Sequence, residues 1–204
     1  TKGQIYVDGE CVFDAGEKRK ISAAEIRRRQ LNVGLAFQSF NLFPQYNVLE
    51  NVTLAPKLLA KEREDFKQRK KEIYAEIDET ARGLLERVGL SEKLESYPCE
   101  LSGGQQQRVS ISRALALNPK ILFFDEPTSA LDPELTHEIL RVIKDLAQKR
   151  MTMIIVTHEI EFARNVADRI IFMNEGVVLE DGTPEEVIDH PKNERTQAFL
   201  AKML

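Results

Sequence analysis

The chain has 204 residues, 42% hydrophobic and 30% charged, which is enough to bury the core of one compact domain or two closely joined lobes. Its net charge of −4 is not the basic excess typical of nucleic-acid-binding proteins, and its apolar runs are too short to span a bilayer. We expect no signal peptide, and we interpret Cys11 and Cys99 as reduced thiols of a cytosolic protein because they lack metal-ligand spacing.

Short strands and one helix are predicted at the start of the chain. A turn at Asp8 and Gly9 separates two strands of a hairpin. The capping-box pattern of Ser22 and Glu25 opens a helix. In chain order, the predicted elements are a strand over residues 4–7, a strand over 10–13, a helix to about residue 30 and a buried strand over 33–36.

The segment from residue 47 to about residue 100 has a helical pattern. Asn47 and Glu50 can cap a short helix, and Gly89 is a suitable stop for a second, longer one. The apolar positions that recur at helical spacing in the longer helix are Ile73, Ile77, Ala81, Leu84, Leu85 and Val88. We interpret the basic run at residues 67–71 as a solvated helix face, because acidic residues flank it and no aromatic stacking platform accompanies it.

From residue 118 onward the pattern becomes strand–helix–strand. The continuous apolar run at residues 121–124 predicts a parallel strand covered on both faces. Asp132 caps a helix whose first residue is Pro133 and which reaches about residue 149. The other predicted elements are a buried strand over 153–156, a helix over 159–166, a hairpin of strands 170–173 and 177–179, and a capped helix start at 183–186.

The segment LSGGQQQR, residues 101–108, predicts a helix start that can bind an anion. Ser102 and Gln105 form a capping-box pattern, so the helix begins at Ser102 or Gly103. Gly103 and Gly104 allow the backbone to approach a ligand closely. The helix N-terminus offers free N–H groups and the positive end of its dipole.

An acidic pair, Asp125 and Glu126, follows the apolar run at residues 121–124. This is the carboxyl end of a predicted parallel strand, where α/β sheets place their sites. In phosphoryl-transfer proteins an aspartate at this point helps to hold Mg²⁺, and a following glutamate can orient and deprotonate the attacking water. Taken alone, the pair is equally well explained as a strand end followed by a turn.

In this order and at this spacing, the two segments resemble the signature motif and the Walker B strand of ATP-binding-cassette (ABC) ATPases. The resemblance implies an α/β fold: part of a P-loop NTPase (RecA-like) parallel sheet, with an antiparallel β edge and an inserted α-helical subdomain. We predict three parts. Residues 1–40 are an N-terminal remnant of the ATP-binding core, residues 41–115 the helical subdomain with the signature motif, and residues 116–204 the C-terminal part of the core.

The resemblance also implies roles for individual residues. Glu126 is the catalytic base and Asp125 a Mg²⁺ ligand. Gln38, in a segment similar to the Q-loop at residues 37–44, contacts Mg²⁺ and the attacking water. His158 is similar to the H-loop histidine, which contacts the γ-phosphate, although a lone histidine at a strand end is more often structural. Asp132 resembles the D-loop aspartate at the dimer interface, and this role is compatible with its role as a helix cap.

The signature motif implies a second nucleotide contact. Ser102, Gly103, Gly104 and Gln105 would bind the γ-phosphate of an ATP molecule held by another subunit. A homodimer of ATP-binding subunits, with ATP and Mg²⁺ as cofactors, is therefore expected.

Three further segments narrow the resemblance to the ATP-binding subunits of bacterial polar amino-acid importers: residues 38–56, 183–187 and 198–200. The implied function is ATP hydrolysis that powers amino-acid uptake through membrane permease subunits. A periplasmic or extracellular amino-acid-binding protein is implied as an indirect partner. The implied location is peripheral, at the cytoplasmic face of the bacterial plasma membrane. We expect Leu42, Phe43 and Tyr46 to contact the permease. The alternative is that these side chains pack between the lobes, and for Leu42 the two interpretations have equal weight.

One motif of the family is missing from these residues. None of the ten glycines is followed by lysine, so the phosphate loop G-x-x-x-x-G-K-[ST] is not present. We expect that the chain begins after this loop, that its sheet exposes apolar edges, and that these 204 residues alone do not hydrolyse ATP.

The alternative is a non-transport ABC ATPase associated with translation or DNA repair. The short segment between Gln38 and Ser102 leaves no room for the long coiled coil of the DNA-repair proteins. Translation-associated proteins usually carry two cassettes in one chain.

Overall fold

The computed structural model of the protein describes residues 2–203, so Thr1 and Leu204, the outer ends of the first and third predicted parts, lie outside the described residues. The chain divides into two compact units, one ending at Val156 and the other beginning at Thr157. The predicted division at residues 40 and 115 stays a prediction.

The described residues form short strands and mostly longer helices. The strands are β1 Gln4–Val7, β2 Glu10–Asp14, β3 Val33–Ala36, β4 Ile121–Asp125, β5 Thr152–Val156, β6 Ile170–Asn174 and β7 Val177–Gly182. The helices are α1 Ala23–Gln30, α2 Val48–Ala60, α3 Phe66–Arg87, α4 Gly103–Leu115, α5 Pro133–Gln148, α6 Ile160–Val166 and α7 Glu194–Met203. Apart from the helix predicted to start at residues 183–186, the predicted strands and helices are confirmed with small shifts at their ends, and α7 is an addition.

Three strands of the first unit form a parallel sheet in the order β3-β4-β5. The register places Ala36 beside Phe124, and Phe124 beside Ile155. The carboxyl ends of all three strands therefore lie at one edge of the sheet. Ala36, Leu122 and Phe124 are buried, and α4 packs against β3.

The opposite face of this sheet is open among the described residues. Leu35 on β3, Ile154 and Val156 on β5 are exposed by 41%, 49% and 55%. The register aligns Leu35, Phe123 and Ile154, so these apolar side chains share one face. Parallel sheets are normally covered on both faces. We expected exposed apolar edges, and the exposed apolar side chains that the structure shows lie on a face of the sheet.

A helical lobe made of α2, α3 and α4 has its own core. The buried residues of this core are Val48, Val52, Ala81, Leu85, Val88, Leu90, Leu101 and Val109. Asn47 and Glu50 form the predicted capping box at the start of α2. Gly89 has φ +71°, the left-handed conformation that commonly ends a helix, so α3 stops where the sequence predicted.

The second unit contains the antiparallel hairpin of β6 and β7 and the C-terminal helix. The rings of Phe172 and Phe199, 5.2 Å apart, join the hairpin to α7. The carboxylate of Glu186 accepts the backbone N–H of Thr183 at 2.8 Å, so the predicted capping box is confirmed. It opens a π-helical turn, Glu185–Asp189, rather than an α-helix.

Two further sequence inferences can be compared with the fold. Cys11 and Cys99 are both free. Within residues 2–203, no helix is long and apolar enough to cross a bilayer.

Candidate functional site

The acidic pair lies at the carboxyl edge of the parallel sheet. Asp125 is the last residue of β4, the middle strand, and its side chain is exposed. Glu126 is the next residue and has φ +43°. Residues with side chains rarely adopt this left-handed region, and such conformations cluster at functional loops.

Hydrogen bonds hold this unusual backbone in place. The N–H of Glu126 donates to the carbonyl of Val156 at 3.0 Å, which ties the end of β4 to the end of β5. The carbonyl of Glu126 accepts from the N–H of Ser129 at 3.2 Å and from its Oγ at 3.0 Å. The backbone of Glu126 is thus held by the end of β5 on one side and by Ser129 of its own loop on the other.

Gln38 lies on the neighbouring strand end. The register continues from Ala36 opposite Phe124, so Gln38 follows β3 at the same edge at which Asp125 and Glu126 follow β4. Its side chain is exposed in a turn. The fold therefore brings Gln38 and the acidic pair to one edge.

The signature segment forms a capped helix start. The Oγ of Ser102 accepts the N–H of Gln105 at 3.3 Å, and Oε1 of Gln105 accepts the N–H of Ser102 at 3.0 Å. The predicted capping box and the start of α4 at Gly103 are confirmed. Ser102 is exposed, so the first turn of α4 is open to a ligand on its solvent side.

The two glycines of this segment also have a packing role. A Cβ built on Gly103 would lie 3.1 Å from Cδ2 of Leu131, and one on Gly104 would lie 3.2 Å from Cβ of Leu135. Both distances are tighter than ordinary contacts, so a larger residue would push α4 away from the start of α5. Sequence reasoning explained these glycines only through a ligand.

Asp132 lies beside this contact and caps α5. Its Oδ1 accepts the N–H of Leu135 at 2.9 Å, which confirms the predicted helix cap. Because Leu131 and Leu135 touch the glycines of α4, the fold brings the D-loop-like segment to the signature segment. The role of Asp132 between two subunits stays a prediction.

His158 follows β5 by two residues and belongs to the second unit. Its imidazole is about half exposed and its Nε2 lies 3.7 Å from Oε1 of Glu159. The contact with a γ-phosphate stays a prediction.

Two residues that sequence reasoning missed organise the loop after Gln38. Asn51, which is 1% exposed, accepts the N–H of Phe43 at 2.8 Å and donates to the carbonyl of Tyr46 at 2.9 Å. Arg113 of α4 reaches the same loop and stacks on Phe43. A polar residue inside a helical pattern gives no signal of such a contact, because its partners are backbone groups of a loop outside the helix.

The surface proposed for docking is smaller than expected. Leu42 is partly buried and packs against the core of the helical lobe. Phe43 remains 41% exposed and forms an edge-on contact with Tyr46, with ring centroids 6.0 Å apart. We call these two residues, Phe43 and Tyr46, the aromatic pair.

The residues at the sheet edge suit Mg²⁺ in the form in which it accompanies nucleotides. Mg²⁺ prefers oxygen ligands and is usually held by one or two protein groups together with phosphates and water. Asp125 and Gln38 supply a carboxylate and an amide oxygen at adjacent strand ends. Within the described part of the chain, no group of three or more acidic, histidine or cysteine residues could form an all-protein metal cage.

Comparisons with known proteins agree on one family. A family model described as ABC transporter matches residues 1–129. The arginine transport ATP-binding protein ArgV of Corynebacterium glutamicum is 48% identical over 205 residues, covering 99% of this chain and 77% of that protein. The glutamine transport ATP-binding protein GlnQ of Geobacillus stearothermophilus is 48% identical over 204 residues, with 100% and 77% covered. The L-cystine import ATP-binding protein TcyC of Bacillus subtilis is 48% identical over 199 residues, with 96% and 76% covered.

Two solved structures have a similar fold. One is a dimer of the ATP-binding cassette MJ0796 in a post-hydrolysis state with ADP and phosphate, with a TM-score of 0.69, 32% identity, and 90% of this chain and 74% of that chain covered. The other is cbiO1 from Clostridium perfringens, part of the transporter complex cbiONQ, with a TM-score of 0.71, 28% identity, and 97% and 70% covered. The predicted α/β fold, with a parallel sheet, antiparallel strands and helices, is confirmed.

Proposed function

This chain belongs to the ABC transporter family of ATPases, and on that premise we propose that it powers the import of polar amino acids. The observation that carries the proposal is the edge of the parallel sheet, where Asp125 and Glu126 follow the middle strand beside Gln38. The substrate class is supported by relatives that are named for transport of arginine, glutamine and cystine.

The proposed chemistry divides between the residues of this edge. Asp125 and Gln38 would hold Mg²⁺, which would neutralise charge on the ATP phosphates. Glu126 accepts a proton from the water that attacks the γ-phosphate. The two hydrogen bonds from Ser129 to the carbonyl of Glu126 hold the backbone of this base in its left-handed conformation. His158 donates a hydrogen bond to the γ-phosphate.

The N-terminus of α4 acts on a second subunit. Ser102 presents its hydroxyl, Gly103 and Gly104 their backbone N–H groups, and Gln105 its side-chain amide to the γ-phosphate of ATP bound by that subunit. Asp132 lies at the interface between the two copies. The dimer of the cassette MJ0796 with ADP and phosphate supports this arrangement.

The aromatic pair connects hydrolysis to transport. Phe43 and Tyr46 lie on the loop that begins at Gln38, so a change at the nucleotide can displace them. We propose that they dock against membrane permease subunits, which places the protein peripherally at the cytoplasmic face of the bacterial plasma membrane. An amino-acid-binding protein outside the cell acts on it only through the permease.

Hydrolysis also needs a phosphate loop that is not among these 204 residues. No glycine here is followed by lysine, and in this family that loop supplies the donors that anchor the β- and γ-phosphates. The exposed apolar side chains of Leu35, Ile154 and Val156 favour a covering segment on the open face of the sheet. We propose that ATP is hydrolysed by the complete subunit, meaning this chain together with its phosphate loop, and not by the 204 residues alone.

Glu126→Gln in the complete subunit tests the proposal. If Glu126 is the base, the rate of phosphate release falls by on the order of a hundredfold or more, while ATP still binds. Glu175→Gln is the matched control, because Glu175 is another glutamate with a left-handed backbone, φ +51°, and it is exposed in the hairpin of the second unit.

Phosphate release and nucleotide binding are measured for both variants, alone and with permease and amino-acid-binding protein. A normal rate in Glu126→Gln would remove Glu126 from the mechanism. An ATPase that responds to ribosomes or DNA but not to permease would support the non-transport alternative.

A further inference from the structure

Arg113, near the end of α4, holds the loop that follows Gln38. Its Nη1 donates to the carbonyl of Asn41 at 2.6 Å, and its Nη2 donates to the carbonyl of Phe40 at 3.0 Å. A guanidinium can hold two acceptors at once because its N–H groups form a planar fork. Its Cζ also lies 5.8 Å from the ring centroid of Phe43, within the range of a cation–π contact.

The charge of Arg113 is compensated by these contacts and not by an acid. The side chain is partly buried, and this burial lowers the pKa of the guanidinium. Within residues 2–203, no carboxylate forms an ion pair with it. A partly buried charge without a counter-charge is costly unless its N–H groups are hydrogen-bonded. The two carbonyl oxygens are therefore the interaction that keeps Arg113 in this position.

The loop itself needs such a restraint. Phe40 has φ +45° and Asn41 has φ +50°, so two consecutive residues with side chains are left-handed. For a bulky residue such as phenylalanine this conformation is rare, and it persists only where surrounding contacts impose it. The carbonyls that Arg113 binds are those of these two residues.

The same helix touches this loop at its other end. A Cβ built on Gly103, in the first turn of α4, would lie 3.6 Å from Cζ of Phe40. Helix α4 thus lies close to the ring of Phe40 at the signature segment and binds the carbonyl of Phe40 through Arg113. A shift of α4 changes the position of Phe40 through both contacts.

We propose that Arg113 is a positioning residue that couples the signature helix α4 to the loop between Gln38 and Phe43. With this link, the γ-phosphate contact at the start of α4, the Gln38 side chain and the aromatic pair move together. Without it, the loop loses its left-handed turn and no longer follows the nucleotide. The consequence for hydrolysis rests on the proposed function, but the restraint on the loop does not.

The restraint is tested first in the 204-residue chain without nucleotide. Arg113→Lys keeps the charge but cannot hold two carbonyls in a fork. We expect faster hydrogen–deuterium exchange in a peptide covering residues 39–43, with unchanged exchange in α5. The control is Arg69→Lys, which weakens two hydrogen bonds of similar length, 2.8 Å to Glu72 and 3.1 Å to Asp65, far along the chain in α3.

The coupling is tested in the complete subunit with a fluorescent reporter. The 204 residues contain no tryptophan, so Phe37→Trp places a probe in them next to Gln38. We expect Mg²⁺-ATP to shift its emission in the Arg113 and Arg69→Lys proteins, and to leave it unchanged in Arg113→Lys. The kcat of Arg113→Lys should fall by about ten- to a hundredfold through misplacement of Gln38, with KM within about threefold.

A rescue separates positioning from general stability. Glycine adopts positive φ without steric cost, so Asn41→Gly should restore part of the reporter shift and of kcat in the Arg113→Lys background. The proposal is overturned if Arg113→Lys exchanges and responds like Arg69→Lys, or if the double variant recovers thermal stability without recovering kcat. If the reporter protein with Arg113 intact does not bind ATP, the proposed function fails instead, and the exchange result still decides the restraint.

Discussion

Replacing Asn51 with alanine should loosen the loop that carries the aromatic pair. The Asn51 side chain is buried at 1% exposure, and its Oδ1 accepts the N–H of Phe43 at 2.8 Å. Its Nδ2 lies within hydrogen-bond distance of three carbonyls, those of Tyr46 at 2.9 Å, Asn47 at 3.0 Å and Phe43 at 3.1 Å. One amide thus fastens both ends of the segment before α2.

The expected cost follows from this contact set. An amide nitrogen has two N–H groups, so Asn51 makes three full hydrogen bonds, one accepted and two donated. At about 1 kcal/mol for each net bond, Asn51→Ala should lower the free energy of unfolding by about 3 kcal/mol. Asn51→Asp keeps the acceptor for Phe43 but turns the other oxygen toward carbonyls. It should therefore cost at least as much.

Urea unfolding of the 204-residue chain, followed by far-ultraviolet circular dichroism, measures this free energy. Asn165→Ala is the control, because Asn165 is exposed and donates only to Glu161 of its own helix, at 2.7 Å. That change should stay within about 0.5 kcal/mol. A loss below about 1 kcal/mol for Asn51→Ala would mean that water replaces the amide and that the loop does not depend on it.

Three other changes give separate tests. Ser102→Arg in the complete subunit should abolish ATP hydrolysis. Mixing this variant with a phosphate-loop mutant should recover part of the activity, because one composite site of the mixed dimer stays intact. No recovery would indicate a site within one chain. Phe43→Ala or Tyr46→Ala should reduce co-purification with the permease and leave basal ATP hydrolysis largely intact, whereas parallel loss of both would place the aromatic pair in the core. Arg29 lowers the pKa of Glu17 through a 2.9 Å hydrogen bond. This pair therefore stabilises the fold at pH values above the ordinary glutamate pKa, and the contribution is lost as the pH falls through the lowered pKa. In Arg29→Gln the melting temperature should therefore depend less on pH below about 4.5, and an unchanged slope would show that Glu17 is not coupled to folding.

Local rules in the sequence were sufficient for most element boundaries. Ser102 and Asp132 cap their helices as predicted, because a capping hydroxyl or carboxylate acts on an N–H only three residues away. Gly89 ends α3 for a similarly local reason, its positive φ. The order of the motifs also predicted the position of Asp125, because the carboxyl ends of parallel strands all lie at the same edge of the sheet.

Contacts of side chains with backbone groups of another segment were decided only by the tertiary structure. No role for Arg113 or Asn51 was predicted from the sequence, yet each binds backbone carbonyls of the loop after Gln38. Leu42 could have packed inside or docked outside, and only the core of the helical lobe decided between them. Sequence patterns are periodic along one element, so they describe which face of that element is apolar. They cannot describe which backbone group of another element comes within 3 Å of a given side chain, because that distance is set by how the whole unit packs.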